Sequence, residues 1–195
     1  DFNLIYTDAL AFEQNDKFTA LWVMNAADAT IEENTSIIKS AMDAYRALSD
    51  KAKEQLKKDT CNTDNDTYAG KLMALAKEIG LAGDIGTIQY TISSDGKTLT
   101  VTGSGTLSAD LATKAFGRRT RTVRYETGTS EKVGSVENLV IESEITINTG
   151  ALNNMTALKT VDAVRGVKVA DGKNVFPNAG TILIRGYADA QNTSL

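Results

Sequence analysis

The chain has 195 residues, 42% of them apolar and 6% aromatic, with a formal net charge of -4 and no histidine. The missing histidine excludes histidine-based triads, histidine metal ligands and the usual near-neutral general base. The single cysteine, Cys61, leaves no partner for an internal disulfide or a multi-thiolate zinc site and makes a poor nucleophile without histidine. No cofactor, metal or catalytic residue is therefore expected. No long apolar run suggests a transmembrane helix. Position 1 is Asp, so the numbered chain is expected to be processed or truncated. Charge is uneven. Residues 1–85 carry 15 acidic and 9 basic groups, whereas residues 86–195 carry 10 and 12. No large basic face dominates, which argues against a nucleic-acid partner.

Residues 2–27 carry Leu4, Ile5, Leu10, Phe12, Phe18, Leu21, Trp22 and Met24, the pattern of one long helix or a broken pair. Thr30-Ile-Glu-Glu33 reads as a capping box that starts a helix near Ile31. That helix carries Ile37, Ile38, Ala41, Ala44, Tyr45 and Leu48 at helical spacing. Ser49 or Asp50 caps a short helix through Lys58. Polar residues 59–67 then form a turn-rich connection, and a last helix runs to Ile79 with Gly80 as its stop.

Near Gly83 the pattern changes. Residues 87–92 and 98–102 alternate polar and apolar side chains around Ser93-Ser-Asp-Gly-Lys97, which predicts a hairpin. Further strands are expected over 122–125, 139–141, 145–147, 167–169 and 181–184. Ala151, Leu152, Met155, Leu158 and Val161 set up a spacing that Val175, Phe176, Ala179 and Ile182 repeat in part 24 residues later. Ala115-Phe116 opens a degraded third copy. A period of that size marks stacked repeats that bury apolar faces against their neighbours. The fold expected is α+β, with a small helical bundle over 1–84 and a short β-rich repeat module over 85–195, opened by the hairpin at 87–102.

The second half resembles bacterial surface proteins of the BspA-like leucine-rich-repeat type. The resemblance rests on Asp95-Gly-Lys-Thr-Leu-Thr-Val-Thr-Gly-Ser-Gly-Thr-Leu107, on Ile145-Thr-Ile-Asn-Thr-Gly-Ala-Leu152 with Met155, Leu158 and Val161, and on Thr181-Ile-Leu-Ile-Arg-Gly-Tyr-Ala188. It covers roughly the last 105 residues. Only about two repeats can be traced, and Leu152 replaces the usual phenylalanine. Ala44-Tyr-Arg-Ala-Leu-Ser-Asp-Lys-Ala-Lys53 resembles a signature of helical modules in Gram-positive surface proteins. Together these resemblances imply a secreted or cell-surface bacterial protein that binds extracellular protein or glycan without catalysis. A spacer segment of a larger surface protein is the alternative, and a carboxylate-based hydrolase a third reading.

Other motifs carry less. Gly103-Ser-Gly105 lacks the third glycine and the βαβ setting of a phosphate loop. Asn62, Asp64 and Asp66 alternate like calcium ligands, but the glycine and the closing glutamate are missing. Ser36–Lys39 and Ser94–Lys97 match S-x-x-K without the accompanying motifs of that enzyme class. Arg118, Arg119, Arg121 and Arg124 form a basic cluster, either a patch for an anionic partner or an ordinary solvated face.

Overall fold

The computed structural model describes residues 2–108, 136–153, 155–169 and 175–185. The protein is mixed α+β, with five α-helices, one 3-10 helix and nine strands among the described residues. It divides into two compact units, Asp1–Ala82 and Gly83–Leu195. The expected repeat copy at Ala115, the expected strand at 122–125 and the arginine cluster lie outside the described residues.

Of the two alternatives for residues 2–27, the broken one is realised. Helix α1 (Phe2–Glu13) ends at a polar run in which the Asn15 side chain takes up a backbone N–H. Lys17 N–H donates to Asn15 Oδ1 at 3.0 Å and Thr19 Oγ1 donates to the Asp16 carbonyl at 2.8 Å. Helix α2 (Thr19–Val23) and a 3-10 helix (Ala26–Thr30) follow, then α3 (Glu32–Ala47).

The capping box predicted at Thr30 does not form. Thr30 belongs to the 3-10 turn, so the cap position passes to Ile31, whose side chain cannot accept a hydrogen bond. The junction is tied in the other direction. Asn34 Nδ2 donates to the Asp28 carbonyl and Thr35 Oγ1 to the Ala29 carbonyl, each at 2.9 Å.

The later caps are side-chain caps. Ser49 Oγ accepts from Ala52 N–H to start α4 (Asp50–Leu56), and Thr67 Oγ1 accepts from Gly70 N–H to start α5 (Tyr68–Glu78). At the end of α5, Gly80 takes a φ of 74° and Leu81 N–H reaches back to the Ala76 carbonyl at 2.8 Å. That is the glycine-terminated helix ending in which a left-handed residue lets the chain satisfy orphan carbonyls.

Leu21, Ile38, Met42, Leu56, Leu72 and Leu75 are fully buried in the core of this unit. Phe12 joins them to the aromatic side chains, with ring centroids 5.3 Å from Phe18, 6.0 Å from Trp22 and 6.1 Å from Tyr45.

The second unit is built on β1 (Ala82–Ile85), β2 (Ile88–Ile92), β3 (Thr98–Gly103), β4 (Thr106–Leu107), β5 (Asn138–Ile141), β6 (Thr146–Ile147), β7 (Thr160–Ala163), β8 (Lys168–Val169) and β9 (Thr181–Ile184). One mixed sheet has the order β1-β2-β3-β5-β7-β9, and a second has the order β4-β6-β8. The hairpin is antiparallel, with Ile92 opposite Leu99 and Ile88 opposite Gly103. Its turn is closed by Asp95 Oδ1, which accepts from Ser93 Oγ at 2.6 Å and Lys97 N–H at 2.9 Å. Gly96 alone takes the positive φ there, at 73°.

From β3 onward the strands run parallel. Leu99, Leu139, Val161 and Ile182 stand in one inward column, and Val101, Ile141, Ala163 and Ile184 in the next. Leu107, Ile147 and Val169 form the matching column of the second sheet. A parallel pair needs a crossover connection between its strands. Each crossover carries a short strand of the second sheet, and the β5-to-β7 crossover also carries the buried run Ala151, Leu152, Met155 and Leu158, with Val175 and Phe176 buried before β9.

The register differs from the spacing read in the sequence. Asn138, Thr160 and Thr181 pair in succession. The first step spans 22 residues, and the second is one shorter. Phe176 is the counterpart of Met155, because each carbonyl accepts the N–H three residues on, from Ala179 and Leu158 respectively. Ile182 therefore aligns with Val161 and not with Leu158. Successive turns place an apolar side chain at every third position along this stretch, so a slip of three leaves the apolar pattern almost unchanged.

Candidate binding face

The side chains that alternate with the inward columns stand on the outer face of the large sheet. One outer column is Thr98, Asn138, Thr160 and Thr181, and the next is Thr100, Val140, Asp162 and Leu183. Neighbouring positions in such a column are about 4.8 Å apart, the spacing of adjacent strands. Most of these side chains are polar and partly exposed. Thr160 Oγ1 donates to Asn138 Oδ1 at 2.7 Å, so the first column is linked across the rungs.

Each rung starts in the same way. Glu137 and Asn138 N–H both donate to the Lys97 carbonyl, Lys159 and Thr160 N–H to the Glu137 carbonyl, and Gly180 and Thr181 N–H to the Lys159 carbonyl. This stacks the side chains of Lys97, Glu137 and Lys159. Glu137 bridges the two lysines, at 3.5 Å to Lys97 Nζ and 2.7 Å to Lys159 Nζ. The hydrogen bond from Lys159 holds the Glu137 carboxyl below the usual carboxylate range. At the other end of the strands, Arg185 Nη2 pairs with Asp162 Oδ2, while Asp162 Oδ1 is enclosed without a hydrogen-bond partner. The face thus has a hydroxyl-rich centre framed by charged groups that engage one another, one glutamate between two lysines and an aspartate with an arginine.

No family model, curated protein or solved structure matches the chain. What can be said of function rests on the residues themselves.

Sequence reasoning missed Asp162, Arg185 and the Lys97–Glu137–Lys159 row. The signal was a change of charge sign at an interval of 22 residues, from Glu137 to Lys159, and of 23, from Asp162 to Arg185, which shows only once the rungs are aligned. Arg118, Arg119, Arg121 and Arg124 fall within 109–135, outside the described residues, and are not placed on this face.

The remaining motifs resolve locally. Gly103, with a φ of 95°, and Gly105, with a φ of 120°, turn the chain from β3 into β4. A Cβ on Gly103 would lie 2.3 Å from the Thr87 carbonyl oxygen, so backbone contact explains this glycine. In the Asn62–Asp66 loop, Asn62 Oδ1 accepts from Asp64 and Asp66 N–H, each at 3.1 Å. Asn62 Nδ2 donates to the Trp22 carbonyl and to Asp66 Oδ2. That second bond, aided by Lys71, holds the Asp66 carboxyl below its usual range. The loop's oxygens serve the loop. Among the described residues, no three His, Cys, Asp or Glu side chains are grouped to hold a metal ion. Glu32, Glu33, Ser36 and Ile37 line a shallow open hollow at the start of α3, which does not enclose a substrate. Among the described residues no helix is long and apolar enough to cross a membrane.

Proposed function

We propose that the protein is a secreted or cell-surface bacterial binding protein. On this reading the second unit is a short repeat module of the BspA-like leucine-rich type, and the first a helical module like those of Gram-positive surface proteins. The partner is an extracellular protein or glycan, nucleic acid is not bound, and no catalytic step is involved. One observation carries the reading. Four parallel strands present aligned outer columns with Thr98, Thr100, Asn138 and Thr160 at their centre. The step from Asn138 to Thr160 spans 22 residues, and the next is one shorter. Leucine-rich repeats have periods of about 20–29 residues, and stacked repeats commonly bind along the face their strands present.

The chemistry of the face favours a neutral, hydroxyl-bearing or peptide partner. Its charged groups engage one another, with one lysine in excess, whereas its threonines and asparagine offer both donors and acceptors. A glycan array and a pull-down from extracellular matrix, both with the full chain, test the proposal. Saturable binding to a defined glycan or matrix protein is expected. Absence of binding in both would favour the alternative, a spacer within a larger surface protein. That alternative draws on the same internal pairing of charges, which also suits a stacking unit that contacts nothing.

A further inference from the structure

The large sheet ends on β9, which pairs with β7 on one side and with no described strand on the other. Thr181 N–H donates to the Lys159 carbonyl and Arg185 N–H to the Ala163 carbonyl. Hydrogen-bonding direction alternates along a strand, so Thr181, Leu183 and Arg185 face β7. The N–H and carbonyl groups of Ile182 and Ile184 then point away from the sheet, and among the described residues nothing bonds to them. The inward columns stop here as well. Val161 and Ala163 are 1% and 0% exposed, whereas Ile182 and Ile184, the next members of those columns, are only half-buried. On the outer face Leu183 is 48% exposed.

Charge and symmetry indicate what fits this edge. Residues 181–184 carry no charge, and Arg185 is held by Asp162 of the preceding rung. An acidic or basic segment would find no counter-charge along the strand, whereas an uncharged apolar strand would. The opposite edge strand, β1, differs in carrying Asp84, a charge of the sort that discourages edge pairing.

A second copy of the chain supplies a strand of the required kind, in a register that β9 itself dictates. With the two strands antiparallel and Leu183 opposite Leu183 of the second copy, Ile182 falls opposite Ile184 of the second copy, and Ile184 opposite its Ile182. Each isoleucine pair can exchange both of its N–H and carbonyl groups. The leucine pair occupies the position without hydrogen bonds, where facing side chains of antiparallel strands approach most closely. Inward isoleucines meet inward isoleucines, so the apolar columns continue from one copy into the other. We propose that the protein forms a two-fold dimer by joining β9 to β9 of a second copy. The same patch serves on both sides, so the contact uses up both free edges and closes at two copies. The outer faces of the two copies then lie on one continuous sheet, whether or not that face binds a glycan or a protein.

A contact of one short strand per copy lies at the small, transient end of interfaces. Sedimentation velocity of the full chain without ligand, from about 5 µM to about 500 µM, should show a monomer–dimer equilibrium and nothing larger. Leu183→Lys and Leu183→Asp each set two like charges against each other at the centre of the contact. Each should weaken self-association at least about tenfold. An equimolar mixture of the two variants should dimerise again, because opposite charges then face each other. A wild-type chain that stays monomeric throughout that range overturns the proposal. So does a dimer that neither variant weakens, or a mixture that stays monomeric. Should either variant fail to fold, Leu183→Cys in a Cys61→Ser background decides. Mild oxidation should link it into a covalent dimer, while Thr100→Cys, in the same outer column but away from the edge, should stay monomeric. Equal cross-linking of the two, or none at Leu183→Cys, overturns the proposal.

Discussion

Gly103 is required by the backbone around it and not by a ligand. In the sequence it belongs to a short glycine pattern after a strand, but in the structure its φ of 95° and the Thr87 carbonyl leave no room for a side chain. Both effects act on backbone, which cannot move aside as a flexible side chain can. Gly103→Ala should therefore destabilise the protein by about 2–3 kcal/mol, measured by chemical denaturation. A loss near zero would mean that the turn from β3 to β4 is made differently. The glycine was visible in the sequence and its reason was not, because Thr87 approaches from the far side of the hairpin, just ahead of β2. Asp162 makes the same point for the candidate site. Nothing in its neighbours marks it, and it gains meaning only beside Arg185 of the next rung.

At the scale of elements, local signals were legible and relations between elements were not. Ser49 acts as the cap its residue type predicts, since Oγ meets Ala52 N–H at 3.3 Å. Thr30 does not, because the 3-10 turn it closes sets its backbone first. Ser49→Ala should accordingly cost about 1 kcal/mol in thermal or denaturant unfolding, while Thr30→Ala should cost well under half of that. Equal costs would restore the capping box. The hairpin was legible for the same reason as the Ser49 cap, since its alternation and its Asp95-Gly96 turn lie in one continuous stretch from Ile88 to Gly103. Strand β7 was not anticipated, because Val161 was read as part of the repeat spacing instead of as a strand residue. The register can be tested with cysteine pairs in a Cys61→Ser background. Thr160→Cys with Thr181→Cys should cross-link readily, since these residues are direct partners across β7 and β9. Ala157→Cys with Thr181→Cys, the pair that the alignment read from the sequence would juxtapose, should not. The reverse result would restore that alignment.

For the molecule as a whole, composition and patterning indicated a helical first part and a strand-rich second part, and the boundary between the compact units falls between Ala82 and Gly83. The outer face was not legible, because it exists only after β3, β5, β7 and β9 are stacked in register. Stacking brings together residues from separate turns of the chain, and the polar ones carry no periodic signal strong enough to betray it. The same stacking gives the proposal its physical content, since a partner lying across the strands would meet several rungs at once. The measurement that tests this most directly compares the wild-type chain with a Thr100→Arg, Thr160→Arg variant for affinity to the strongest glycan or matrix ligand. Two long cations placed in adjacent outer columns should weaken binding at least about tenfold, with the unfolding midpoint little changed. Undiminished binding by a properly folded variant would contradict the assignment of this face.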